Sequence, residues 1–194
     1  AEQEGLGLDV VSGGELYTAK KAGFPMEKVF FHGNNKSVNE LSEALDVVIG
    51  RIVVDNIHEL QVLNNLCQEK GVKARISVRV KPGIEAHTHD YVLTGQIDSK
   101  FGVAVENGEI YEFAQLAKSY DNIEFVGLHC HIGSQIFALN SFKHAAILMM
   151  DFLAKIKDEA GYVCSELDIG GGFGIYYTDK DDLINPRKLM ELIM

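Results

Sequence analysis

Six short runs of β-branched and aliphatic residues recur along the chain, and an amphipathic helical pattern follows most of them. This alternation constrains the fold more than any other feature. The runs are LDVVS at 8–12, KVFFHG at 28–33, RIVVDN at 51–56, ARISVRV at 74–80, EFVGLHCHIG at 124–133 and SELDIGGG at 165–172. They are close to continuously apolar, as strands covered on both faces must be. Between them, GGELYTAKKAG closes on Gly23 as a C-cap. SVNELSEALD opens on Ser37 with Glu40 three residues on, a capping box. NIHELQVLNNLCQEKG places Leu60, Val62, Leu63 and Leu66 on one stripe and stops at Gly71; NGEIYEFAQLAKSY and LNSFKHAAILMMDFLAKIKDEAG follow the same pattern. Such repeats predict an α/β fold with a parallel sheet.

A doubly wound sheet and a (β/α)8 barrel both fit that pattern, and the strand exits separate them. Every run leaves into polar or glycine residues: Ser12; His32 with Asn34 and Asn35; Asp55; Arg79 with Lys81; His131 with Ser134; and Gly170 to Gly172. A barrel gathers all its strand C-termini around one mouth, whereas a doubly wound sheet concentrates them at a single switch point. The expectation is therefore a partial TIM-type barrel, strands 2–7 of eight. The chain opens at Ala1 without a methionine and closes at NPRKLMELIM inside a helical pattern. It reads as an interior piece of a longer protein, with residues 1–194 belonging to one barrel domain. The one long connection without helical pattern, 81–107, follows the fourth run, and loops of that length usually carry function.

A formal net charge of −10 argues against nucleic acid and against anionic membranes as partners, and no apolar run reaches the length of a membrane span. Cys67, Cys130 and Cys164 are odd in number and widely spaced, so they read as free thiols in a reducing cytosol.

Three stretches carry chemistry. In LDIGGGFGIYY at 167–177, three glycines end a strand, an arrangement that lets backbone N–H groups cradle a phosphate. A plain tight turn is the alternative, and the glycine spacing lacks the context of a dinucleotide site. In GLHCHIGSQ at 127–135, His129 and His131 share a side if the strand persists. A metal site would draw a third ligand from His32, Asp55 or His89, whereas packing within the barrel suits His129. His131, beside Gly133 and Ser134, is placed for a ligand contact. In FHGNNKS, the polar residues His32, Asn34, Asn35 and Lys36 suggest a site wall ahead of the Ser37 N-cap. Asp9 is expected inside the barrel and Glu15 at a helix start, where the dipole favours an acid. Arg79, a charge within an apolar strand, must be paired or hold an anion.

LDVVSGGELYTAKKAGF, FHGNNKS, RIVVDN, RVKPGIEAHTHDYVLTGQIDSKFG, GLHCHIGSQ and LDIGGGFGI follow one another over nearly the whole chain. Together they resemble the pyridoxal-phosphate-dependent decarboxylases with an alanine-racemase-like barrel. The resemblance implies pyridoxal 5′-phosphate as cofactor and a small amino acid as substrate. It favours meso-2,6-diaminopimelate, within lysine biosynthesis, over arginine, ornithine or carboxynorspermidine. It also implies a cytoplasmic homodimer. His131 would stack on the cofactor ring, and Ser134 with the backbone of Gly170, Gly171 and Gly172 would hold the phosphate. Arg79 would lie at the pyridine side of the mouth, with Asp9, Glu15, His32 and Lys100 around it and Lys100 acting by charge pairing. The family's cofactor-bearing lysine, its pyridine-pairing glutamate and its C-terminal β-domain have no counterpart in these residues, so the chain alone is expected to be inactive. Lys20 and Lys21 follow DVVS on a helix and are expected at the surface. A non-catalytic regulatory homologue and a metal-dependent hydrolase using His32, His129 and His131 stand as the other readings.

Overall fold

The computed structural model describes residues 1–83, 100–105, 107–179 and 184–194. The elements run β1 (Leu8–Val10), α1 (Gly13–Lys21), β2 (Val29–Phe31), α2 (Val38–Asp46), β3 (Arg51–Val54), α3 (Ile57–Lys70) and β4 (Ala74–Lys81). They continue with β5 (Val103–Ala104), α4 (Glu109–Lys118), β6 (Ile123–His129), α5 (Leu139–Ala160), β7 (Glu166–Asp168) and α6 (Pro186–Ile193).

The helix ends follow local chemistry. Ser12 accepts from the Glu15 N–H, and Asn56 accepts from the Glu59 N–H at the start of α3. Ser37 and Glu40 complete the capping box, and α3 stops at left-handed Gly71. At α1 the cap falls one residue early: Ala22 is the C-cap, and Gly23 follows it with φ 73°.

All six apolar runs form strands. The sheet order is β1-β2-β3-β4-β6-β7, with β5 paired to β4 off that path. Every pairing is parallel. Strand order never reverses, so the sheet has no switch point and curls as part of a (β/α)8 barrel.

Strand register divides the side chains between two faces. Val10, Phe31, Ile52, Val54, Ile76, Val78 and Leu128 join helix residues such as Leu60, Phe113 and Phe142 in one hydrophobic core. The opposite, concave face carries Asp9, Phe30, Ser77, Glu166 and Asp168. A β-bulge in β6 keeps this division. Ile76 pairs with Phe125, but the next residue, Ser77, pairs with Gly127, leaving Val126 as the extra residue. Phe125 therefore faces the helices, while Gly127 and His129 turn into the hollow. At the floor of the hollow Arg51 on β3 grips Glu166 on β7 through both Nε and an η nitrogen. These strands are not neighbours in the sheet.

Candidate functional site

The strand ends bring Asp9, His32, Arg79, His129 and Asp168 toward one rim. His32 Nε2 lies 3.4 Å from Asp9 Oδ1. The His32 and His129 rings meet edge-on at 4.7 Å between centroids, and His129 Nδ1 lies 3.0 Å from Asp168 Oδ2. Neither His32 Nε2 nor His129 Nδ1 is aligned for a hydrogen bond, although both atoms are buried. Burial pushes the His129 pKa down against the pull of Asp168. At Asp168 burial works upward but is outweighed by His129 and by the Gly170 N–H, which leaves the carboxyl below its ordinary value. The pair is therefore a neutral imidazole against a carboxylate at neutral pH.

Beside this row, the loops after β6 and β7 are joined by backbone. Cys130 N–H donates to the Asp168 carbonyl, Ile136 N–H to Gly172 O, and Gly174 N–H to Ile136 O. Asp168 Oδ1 accepts from the Gly170 N–H at 2.8 Å. Between these ties the three glycines bow outward. A Cβ at Gly170 would stand 2.5 Å from the Cys130 carbonyl oxygen, and one at Gly172, where φ is +91°, would overlap the Gly133 carbonyl. Only glycine fits both positions. Gly171 meets nothing within 4 Å on its Cβ side. Among the described residues, neither the Gly171 nor the Gly172 N–H is paired with a backbone carbonyl. Open space and free donors suit an anion such as a phosphate monoester. This arch edges a groove of about 890 Å³ that also takes in Asp9, Phe30, Ser77 and Asp168.

His131 leans on the same arch, its ring 3.1 Å from the Cβ position of Gly170 and 3.3 Å from that of Gly172. Burial, then the charge of Arg79, push its pKa down to about 4. β6 ends at His129, so strand alternation does not carry on to His131. Ser134 is exposed next to it. Arg79 is half-buried and stacks on Phe101, 4.3 Å from the ring centroid. Burial lowers its pKa, while Asp55 opposes the shift. Asp9 faces the groove with its side chain 70% exposed.

Other expected residues are engaged elsewhere. Glu15 accepts from the Val11 N–H at 2.6 Å and belongs to the start of α1. Lys100 is exposed, with Nζ 5.1 Å from the Phe101 ring centroid. Among the described residues no carboxylate lies within ion-pair distance of it. Lys20 and Lys21 are on the surface of α1, as expected. Lys36 is not part of a site wall. Its side chain is 1% exposed and its ammonium pairs with Glu59 at 2.8 Å behind β2 and β3. His89 lies outside the described residues, and among those described no three His, Cys, Asp or Glu side chains are arranged to hold a metal.

Two residues of the site escaped the sequence reading. Asp168 was signalled only by being a carboxylate at the end of an apolar strand. Gln135 closes the GLHCHIGSQ stretch but was given no role of its own: its side-chain amide donates to Ile175 O at 3.0 Å and accepts from Ile175 N–H at 2.9 Å.

A family profile described as "Pyridoxal-dependent decarboxylase, pyridoxal binding domain" matches residues 1–194. The chain is 56% identical over 194 residues to a diaminopimelate decarboxylase of Bacillus methanolicus, covering all of this chain and 45% of that protein. It is 49% identical to that of Bacillus subtilis, covering 44% of it. The fold superimposes with a TM-score of 0.89 on a diaminopimelate decarboxylase from M. jannaschii in co-complex with L-lysine, at 36% identity, covering 98% of this chain and 44% of that one. The chain thus spans less than half the length of the curated relatives it matches.

Proposed function

This chain belongs to the pyridoxal-dependent decarboxylases, and we propose that it forms the cofactor-holding part of a longer enzyme that converts meso-2,6-diaminopimelate to L-lysine and CO₂. The observation that carries the reading is the glycine arch, with free N–H donors at Gly171 and Gly172 and His131 lying against it. Pyridoxal phosphate, when bound, supplies an electron-poor ring that takes up the electron pair left when the substrate loses its carboxylate.

The residues of this chain do the holding. Gly171 and Gly172 donate backbone hydrogen bonds to the phosphate, with Ser134 beside them. His131, kept neutral by its low pKa, lays an uncharged face against the ring and excludes water from it. Arg79 supplies positive charge at the mouth, where an anionic cofactor and a carboxylate substrate arrive. Asp9, His32, His129 and Asp168 hold the rim from within. Glu15 serves its helix start, and Lys100 lies over the Phe101 ring, on which the Arg79 guanidinium also stacks. The domain of residues 1–194 is read as part of a β/α barrel, with a C-terminal β-domain outside this chain. Homodimerisation and a cytoplasmic location belong to the same reading, and the mass of the full-length protein in solution checks the former. Among the described residues no helix is long and apolar enough to cross a membrane.

The test is replacement of the matching segment of the Bacillus methanolicus enzyme by this chain. The chimaera should bind pyridoxal phosphate and release CO₂ and lysine from meso-diaminopimelate. A folded chimaera that binds the cofactor but decarboxylates only arginine or ornithine would overturn the substrate assignment. One that does not bind the cofactor would overturn the site.

A further inference from the structure

We propose that Gln135 is a positioning residue that sets the aperture of the glycine arch and so selects for the phosphate of the cofactor, an inference that rests on the site reading above. Past β6 the chain makes a single backbone bridge to the segment after β7, between Ile136 and Phe173. Past that bridge, among the described residues, no further backbone hydrogen bond joins the two segments. Gln135 adds the second tie. Its side-chain amide faces the Ile175 peptide and exchanges both hydrogen bonds with it, at 3.0 Å and 2.9 Å, as a neighbouring strand would. The loop after β7 is thus held at Gly172, Gly174 and Ile175, while Asp168 holds its other end through Cys130 N–H and Gly170 N–H.

The backbone at Gln135 is unusual for its residue type. Its φ is +54°, one of only two non-glycine residues among those described with positive φ. Left-handed backbone is unfavourable for an ordinary L-residue, whose Cβ crowds the following carbonyl oxygen. Glycine would satisfy that turn without the cost but would supply no amide. Glutamine at this position is explained by what its side chain reaches. The amide is not in contact with the arch itself. It acts on Gly171 and Gly172 through the bridge, by fixing Ile175 two residues past Phe173 and so the angle at which the two segments cross there. Loosening that crossing would loosen the placement of the Gly171 and Gly172 N–H groups, the phosphate end of the site, more than the ring-facing side made by His131.

The test uses the full-length protein carrying this chain, in its cofactor-free form, with pyridoxal phosphate and pyridoxal as paired probes. Gln135→Gly removes the amide and relieves the positive φ, so loss of two exposed hydrogen bonds and relief of strain oppose each other in stability. The thermal midpoint should stay within about 3 °C of the parent. Affinity for pyridoxal phosphate should fall about tenfold, the weight of one to two hydrogen bonds, while that for pyridoxal changes by less than about twofold. Gln135→Ala keeps the strain and should show the same selectivity with a lower midpoint. Equal losses for the two probes would overturn the proposal by making Gln135 a general structural residue, and so would unchanged affinity for both. If the parent itself binds neither probe, the reading of the site fails, and this inference fails with it.

Discussion

Lys36 offers a measurable test of how the rim is held. Its Nζ donates to the carbonyl of Gly33 at 2.5 Å and to that of Val53 at 2.8 Å, and it pairs with Glu59 Oε1 at 2.8 Å. Glu59 in turn accepts from the Asp55 N–H at 3.1 Å. One ammonium therefore ties the turn after His32 to the end of β3. Lys36→Met keeps most of the apolar stem and removes the charge. Two buried carbonyls lose a charge-assisted donor, and Glu59 is left as a buried, unpaired carboxylate. Breaking a buried pair in this way costs about 3–5 kcal/mol.

The cost depends on pH. Burial already raises the Glu59 pKa above its ordinary 4.5, and Lys36 is the main influence holding it down. Without Lys36 it rises further, so the folded state keeps the proton while the unfolded state releases it. For an acid raised in this sense, stability is fully present below the unfolded pKa and is lost as pH rises toward the folded one. The variant should therefore be destabilised least near the ordinary carboxylate value of 4.5 and progressively more as the pH is raised from there into the mildly alkaline range. Urea unfolding of parent and variant at those two ends gives both numbers. Adding Glu59→Gln, which keeps an acceptor for Asp55 N–H and removes the charge, should recover about 1–2 kcal/mol at the higher pH and nearly nothing at the lower. A loss under about 1 kcal/mol, or one independent of pH, would refute the argument that this pair is a buried clamp.

Two further outcomes follow from the same geometry. Val48 follows the C-cap of α2 with φ 54° and is 78% exposed. Val48→Gly removes a left-handed β-branched residue at almost no cost in burial, and its thermal midpoint should rise by about 1–3 °C after allowing for glycine's entropy; a fall would show that the turn is not strained. His131 has a folded pKa of about 4 against an ordinary 6.5, with burial as the main cause and Arg79 next. The unfolded chain takes up this proton first, so stability is complete above pH 6.5 and drains away toward pH 4. His131→Phe should flatten that limb in denaturant unfolding, leaving the contribution of His129, and an unchanged limb would place the acid sensitivity elsewhere.

Much of the architecture could be read from the residues because local signals agreed with the global one. Ser37 and Glu40 write their own helix start, and the polar strand exits were a consequence of a single mouth. What could not be read depends on contacts between distant segments. EFVGLHC looks like simple alternation, which would put Phe125 and His129 on the same face; only pairing with β4 reveals Val126 as the extra residue. Lys36 sits among Asn34, Asn35 and His32 in sequence, and composition placed all four at the rim. Its burial follows from Glu59 reaching up from α3. The two-residue β5 forms within a stretch that has little strand pattern of its own, because β4 extends far enough to offer an edge. In the site, glycine spacing pointed to the arch, but the ties that shape it are backbone to backbone and leave no trace in residue type.

The Arg51–Glu166 grip has a mechanical meaning beyond its charge. It spans strands separated by β4 and β6, so it acts as a chord across an arc. A chord of fixed length sets the radius of curvature, which sheet twist alone leaves loose. The radius at the floor fixes how far apart the ends of β3 and β7 stand at the rim, and therefore the gap between Asp55 and Asp168. A change made at the base of the sheet would be felt as a change of width at its mouth, many ångströms from any residue that touches a ligand.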